Sequence, residues 1–340
     1  MTFDPARRGI RGVLGILLTL LCGGSGTRGE DTPRERVTLL PLWLPQAQFT
    51  GYYIATEKGF YARRGLEVEV LRGGPEHDVV KELEKGEADF AVVWLAQALF
   101  ALDRGVALSH VAQVFSTSNL EIVAWRKKGV TSLRDLDGRR VSIWGDSLRP
   151  PFEAFFRSQS LKPVIIPQHA TVNLFLLGGV DACSVMEYNE YNSIYLAGVD
   201  ESELVRFPLR SHGVDFPEDG LYCLRRTREA RPHVAKALAE ASLEGWKYAA
   251  EHLEEALDSV MQRTREANLP INRAHMRWML RVVLRSVFPD GVRPPTSSDP
   301  KPGPERAPGA LSRRAYDETV RRLLELGALK TAPTYEEFTR

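Results

Sequence analysis

The chain carries none of the short motifs that mark the common catalytic classes. H-E-x-x-H, C-x-x-C, a Walker A loop and G-x-S-x-G are all missing, so the spacings needed for zincin, dithiol, P-loop and nucleophile-elbow chemistry are not there. Excess charge of either sign is also lacking: 45 Lys and Arg face 44 Asp and Glu, a net charge of +1. Nucleic acid as a partner therefore has no global electrostatic support. The seven His are scattered, with no pair at ligand spacing on one element, which argues against a metal site. Gly24, Gly26 and Gly29 do spell G-x-G-x-x-G, but no mature strand precedes them and no helix follows, so a dinucleotide site is not expected there.

Long hydrophobic runs are short of what a membrane span needs. Val13 to Leu21 is apolar, follows the positive Arg7, Arg8 and Arg11, and precedes the small residues CGGSG. That order is a signal peptide, expected over residues 1–26 with cleavage near Gly24 or Gly26, and it implies export to the periplasm. Cys22 raises lipid anchoring, yet Thr19, Leu20 and Leu21 lack the small residue usual ahead of a lipidated Cys. With Cys22 removed, Cys183 and Cys223 are the mature thiols. Export permits a disulfide between them, although isolated Cys in apolar runs read more simply as buried small hydrophobes.

What the sequence does contain, at 340 residues and 43% hydrophobic, is enough core for one large or two ordinary domains. VTLLPLWL reads as a buried strand, GYYIATEKGFYARRG as a helix ending at Gly65, LEVEVL as a strand, HDVVKELEKG as a helix, ADFAVVWLA as a strand, QALFALDRG as a helix and HVAQVF as a strand. Strands alternating with helices predict a sheet covered on both faces. The pattern then restarts, from EIVAWRKK to GLYCLRR, before a long helical tail from about Arg231 to Val287, broken near Pro270. The expected architecture is α/β and two-lobed, each lobe a mixed sheet flanked by helices with a cleft between them. Lobe 1 takes residues 36–120, with 221–290 and 310–340 returning to it, and lobe 2 takes 121–220. The connections are expected near Asn119 to Val123 and Gly220 to Cys223, and the Pro-rich 291–309 reads as an exposed loop.

In open α/β sheets ligands bind beyond the carboxyl ends of the strands. The loops expected there are WLPQAQF, WLAQ at 94–97, STSN at 116–119, WGDS at 144–147 and EYNE at 187–190. The candidate ligand-binding residues are Trp43, Gln46, Gln48, Tyr52, Trp94, Ser118, Asn119, Trp144, Glu187, Tyr188 and Glu190. Aromatic faces beside amide and carboxyl side chains suit a flat heterocycle with donors and acceptors on its edge. Plainer roles are open to the same residues: Trp43 and Trp94 as core aromatics, Glu187 or Glu190 as favourable charge at a helix start, Asp146 and Ser147 as caps.

WLPQAQFTGYYIATEKGFYARRGLEVEV, then GGP, LEKGEADFAVV, VDACSVMEYNE and FPEDGLY, together resemble the periplasmic substrate-binding proteins of ABC transporters that carry thiamine pyrimidine precursors, the formylaminopyrimidine-binding group. Fungal hydroxymethylpyrimidine precursor synthase belongs to the same superfamily. The resemblance runs from about Val37 to Phe338. It implies a fold that closes on a small heterocycle and hands it to an ABC permease in the inner membrane, with Trp43 and Tyr188 as ring contacts and Glu190 reading the aminopyrimidine edge. No cofactor is implied. Gln46 and Gln48 stand where the family commonly has Asn after Trp-x-Pro. The synthase's cysteine-rich motif is reduced to Cys183, and no residue set for its pyridoxal phosphate chemistry is identifiable, so an enzyme is the weaker reading. Sulfonate or nitrate capture would call for a more basic or hydroxyl-rich cleft, and docking to a sensor receptor would leave the same sequence signature.

Overall fold

A computed structural model describes residues 33–270, 272–292 and 307–340. The leader at 1–26 with Cys22, and most of the Pro-rich 291–309 stretch, lie outside the described residues. The ten strands are β1 (Glu35–Leu40), β2 (Leu66–Val70), β3 (Phe90–Trp94), β4 (Leu108–Gln113), β5 (Leu120–Trp125), β6 (Arg140–Trp144), β7 (Val164–Gln168), β8 (Ala182–Met186), β9 (Leu204–Pro208) and β10 (Asp219–Leu224). They form two five-stranded mixed sheets, ordered β2-β1-β3-β10-β4 and β7-β6-β8-β5-β9.

The two sheets repeat one plan. In each, four strands share one direction and the fifth lies antiparallel to both of its neighbours: β10 between β3 and β4, and β5 between β8 and β9. Each antiparallel strand is the first one reached after the chain crosses between sheets. The crossings occupy 114–119 and 209–218. Gly220 to Cys223, expected as a connection, instead lies inside β10, because DGLYCL is buried throughout and hydrogen-bonded on both sides. β3, β5, β8, β10 and the inner part of β1 are mostly apolar and buried with little alternation, as strands covered on both faces must be.

Local chemistry sets several boundaries. β1 stops at Leu40 because Pro41 offers no N–H for the ladder, which releases Leu42 to Gln46 into a bend rather than the longer strand expected. The helix after it, α1 (Thr50–Glu57), ends before Gly59, whose φ of +68° breaks the run expected to reach Gly65. The other early helices are α2 (Val79–Lys85), capped by Asp78, and α3 (Leu95–Asp103). In the second lobe lie α4 (Pro150–Ser158), α5 (Asn173–Leu176) and α6 (Glu190–Leu196). The helical tail is α7 (Arg225–Ala230), α8 (Pro232–Glu251), α9 (Leu253–Glu266) and α10 (Arg273–Val287), so it breaks at His252 as well as near Pro270. Two last helices, α11 (Arg313–Glu325) and α12 (Tyr335–Thr339), follow.

The tail packs mainly on the first lobe, and its tightest point is a crossing of α1 and α8. A Cβ on Gly51 would lie 2.3 Å from the Trp246 ring, and one on Gly245 would lie 2.0 Å from the Gly51 carbonyl oxygen. Only glycines let the backbones approach so closely, and the approach seats the fully buried Trp246 under Tyr52. Cys183 in β8 and Cys223 in β10 are both free and buried in different sheets, so the disulfide allowed by export does not form. Among the described residues no helix is long and apolar enough to cross a membrane.

Candidate ligand-binding site

The bend after β1 is held in place from two sides. Gly73, in the GGP loop after β2, lies so close that a Cβ there would come within 2.1 Å of the Pro41 carbonyl oxygen and 2.5 Å of that of Trp43. Beyond the bend, Gln46 Nε2 donates to Gln48 Oε1 at 2.6 Å, and Gln48 Nε2 donates to both carboxyl oxygens of Asp219 at 3.1 and 2.9 Å. Trp94 Nε1 donates to Asp219 Oδ1 at 2.9 Å. The last residue of β3 and the first of β10 thus converge on one carboxyl with the first-strand bend. Burial pushes the Asp219 carboxyl up to about 7, against the opposing pull of the Gln48 and Trp94 hydrogen bonds.

Glu218, the preceding residue, is buried on the crossing segment. Asn119 Nδ2 donates to its Oε2 at 2.8 Å, Ser118 Oγ donates to its Oε1 at 3.1 Å, and the Asn119 backbone N–H also reaches Oε1. Burial raises this carboxyl to about 8; the Asn119 and Ser118 donors lower it and the neighbouring Asp219 charge raises it. Glu190, at the start of α6, accepts the Met186 backbone N–H at 3.0 Å and Asn189 Nδ2 at 2.7 Å, and desolvation lifts it to about 7 despite them. Among the described residues, none of these three carboxyls has a Lys, Arg or His partner in an ion pair.

Tyr188 ties the three together. Its phenol is raised first by burial and then by the charges of Glu218, Asp219 and Glu190 in turn. Its ring meets Phe115 edge-on at 6.4 Å, Phe115 meets Trp246 edge-on at 5.8 Å, and Trp246 meets Tyr52 edge-on at 6.1 Å. Tyr52 is buried beneath the bend, and burial first, then Asp219, pushes its phenol up. Acidic acceptors and a chain of edge-packed aromatic rings therefore make up the candidate site, drawn from both sheets and from both crossing segments. Gln97 Nε2, donating to Ser147 Oγ at 3.0 Å, joins the loop after β3 to the loop after β6.

The structure accordingly gathers Gln46, Gln48, Tyr52, Trp94, Ser118, Asn119, Tyr188 and Glu190 around Asp219 and Glu218. Other candidates stand apart. Trp43 packs against the core at the bend, and Trp144 meets Phe152 on α4 edge-on at 5.8 Å. Glu187 is turned to a basic cluster: its Oε1 lies 2.9 Å from Arg285 Nη2 and 3.4 Å from Arg206 Nη2, and its Oε2 3.8 Å from Arg210 Nη2. The side chain of Asp146 lies outside the described residues. Asp219, Glu218, Phe115 and Trp246 were not foreseen as site residues. The signal for the first two was legible in FPEDGLY, where Glu218 precedes and Asp219 opens an otherwise apolar strand, so that both are drawn into its buried surroundings.

The profile of the family described as NMT1/THI5 like matches residues 46–256. A formylaminopyrimidine-binding protein of Halalkalibacterium halodurans is 25% identical over 272 residues, 76% of this chain and 81% of that protein. A riboflavin-binding protein of Chloroflexus aurantiacus is 24% identical over 75% of this chain and 78% of its own. A 4-amino-5-hydroxymethyl-2-methylpyrimidine phosphate synthase of Legionella pneumophila is 25% identical, but the match spans 33% of this chain and about a third of that enzyme, 36%. Among solved structures, the periplasmic aliphatic sulphonate binding protein of Escherichia coli superposes with a TM-score of 0.64 at 14% identity, over 89% of this chain and 97% of that one. That likeness shows a periplasmic binding-protein fold.

Proposed function

The chain belongs to the NMT1/THI5-like family, and we propose that it is an exported solute-binding protein that captures a small, flat, amino-substituted heterocycle, a thiamine pyrimidine precursor, and delivers it to an ABC permease. The observation that carries this reading is the set of three buried or half-buried carboxyls, Asp219, Glu218 and Glu190, with neutral donors and, among the described residues, no cation paired with them. An ionised carboxyl left so is costly, and a ligand edge that presents N–H groups relieves that cost with charge-assisted hydrogen bonds. Tyr188, whose phenol feels all three carboxyls, puts an aromatic ring beside them for a flat ligand.

The same electrostatics argue against an anionic ligand. A sulfonate or nitrate would enter a site of acceptors that repel it, while the arginines of this region, Arg206 and Arg285, are already engaged by Glu121 and Glu187. A pyridoxal phosphate enzyme would need a lysine in the site, and among the described residues no lysine is a hydrogen-bond or ion-pair partner of Asp219, Glu218 or Glu190. Calorimetry with formylaminopyrimidine, hydroxymethylpyrimidine, thiamine and riboflavin, alongside taurine and nitrate as anions, tests the reading. Binding of a pyrimidine and of neither anion is expected; binding of an anion and of no pyrimidine overturns it.

A further inference from the structure

The loop that carries Tyr188 and Glu190 is covered on another side by α10. Trp278 Nε1 donates to the Glu187 carbonyl oxygen at 2.9 Å, and Arg285 pairs with the Glu187 carboxylate. Ser286 Oγ donates to Asn119 Oδ1 at 3.0 Å, so the same helix also touches the first crossing segment. One contact reaches further. His275 Nε2 lies 2.9 Å from Asn189 Oδ1, and His275 Nδ1 lies 2.7 Å from Asn192 Nδ2.

The polarity of this chain is set by its end. Glu190 accepts on both oxygens, from Met186 N–H and from Asn189 Nδ2. With its amide nitrogen spent on Glu190, Asn189 presents Oδ1 outward, which obliges His275 to donate from Nε2. His275 Nδ1 is then bare and accepts from Asn192 Nδ2. The ring is 8% exposed, and burial holds it below the usual histidine range, in keeping with a neutral imidazole. Its backbone N–H is fixed in turn by the helix cap, Asn272 Oδ1, at 3.0 Å.

We propose that His275 is a positioning residue for the ligand-reading carboxyl: acting through Asn189, it holds Glu190 as a two-oxygen acceptor and so selects ligands that present N–H donors at that edge. The proposal rests on the binding reading above. It explains why a helix of the tail, remote in sequence, is docked on a loop of the other lobe by a directional hydrogen-bond chain rather than by apolar packing alone. Losing the Nε2 donor would leave Asn189 Oδ1 without that partner and the amide anchored by its Glu190 hydrogen bond alone, loosening the hold on Glu190.

Two measurements on the full chain test it. Nitrogen-edited NMR of the histidine side chains at pH 8 is expected to show His275 as the Nε2–H tautomer, and the Nδ1–H tautomer would overturn the proposal whether or not a ligand is known. In calorimetry with formylaminopyrimidine or hydroxymethylpyrimidine, His275→Leu is expected to weaken binding about tenfold and His275→Gln, which keeps an amide donor, to restore most of it. In a Glu190→Gln background His275→Leu should add no further loss; an undiminished loss there would make His275 merely structural and overturn the proposal. A wild-type protein that binds neither pyrimidine overturns the ligand reading instead, and the tautomer then decides whether His275 orients Glu190.

Discussion

Trp94 and Asp219 are directly opposed across the antiparallel pair of β3 and β10, and the indole Nε1–H of one donates to Oδ1 of the other at 2.9 Å. The pairing places an acidic group at the joint where a parallel strand ends and the returning strand begins. That is where the fold brings the first-strand bend, the crossing segments and the second-lobe loop together.

Asp219→Asn keeps the shape and the Trp94 contact but removes the charge, and Gln48 must turn its amide over to accept from the new Nδ2. A hydrogen bond to a charged group contributes about 1.5–3 kcal/mol, so affinity for an amino-heterocycle is expected to fall about 10- to 150-fold. At pH 8, where the Asp219 carboxyl is ionised, thermal stability of the unliganded variant should hold or rise, since an unpaired buried charge has been removed. Calorimetry and thermal denaturation of the same variant check both halves.

The pH dependence follows from the raised carboxyls. Unfolded Asp and Glu ionise near pH 4, whereas Glu190 and Asp219 hold their protons in the folded chain to about 7 and Glu218 to about 8. Between those limits the folded state binds more protons than the unfolded one, so stability falls as pH rises. Glu121 and Asp215, also raised by burial, act in the same direction. The unliganded protein should therefore melt at lower temperature at pH 8 than at pH 5.5, and Glu218→Gln should flatten the slope in a denaturation series.

The crossing of α1 and α8 is a separate, purely structural test. Gly245→Ala would set a Cβ 2.0 Å from the Gly51 carbonyl oxygen, forcing the helices apart over Trp246. A loss of about 1–3 kcal/mol is expected in urea unfolding.

Gln46 reaches Asp219 only through Gln48. Gln46→Ala should thus weaken binding by less than Asp219→Asn does, about fivefold for one neutral hydrogen bond near 1 kcal/mol. Side-by-side titrations of the two variants check the order.

Much of this architecture can be read from the chain because its strands are short apolar runs punctuated by glycine and proline. The restart at EIVAWRKK foretells the second sheet. What escapes is what depends on partners distant in sequence. Nothing local distinguishes Glu187 from Glu190, three residues apart; the first faces Arg206 and Arg285 and the second faces Asn189, and only the fold supplies those neighbours. Trp94 was recognisable as a donor at a strand end, but its acceptor, Asp219, lies 125 residues away. His275 looks like any histidine on an amphipathic helix until α10 is seen resting on α6.

The most direct measurement is calorimetric titration of formylaminopyrimidine near pH 7 in two buffers of different ionisation enthalpy. Carboxyls that hold protons to about 7 and about 8 when unliganded should ionise against a donor edge, so binding is predicted with net proton release, seen as a heat that differs between buffers. Tight binding of taurine or nitrate with no response to the pyrimidine, or pyrimidine binding with identical heats in both buffers, would contradict the claim that unpaired carboxyls read the ligand.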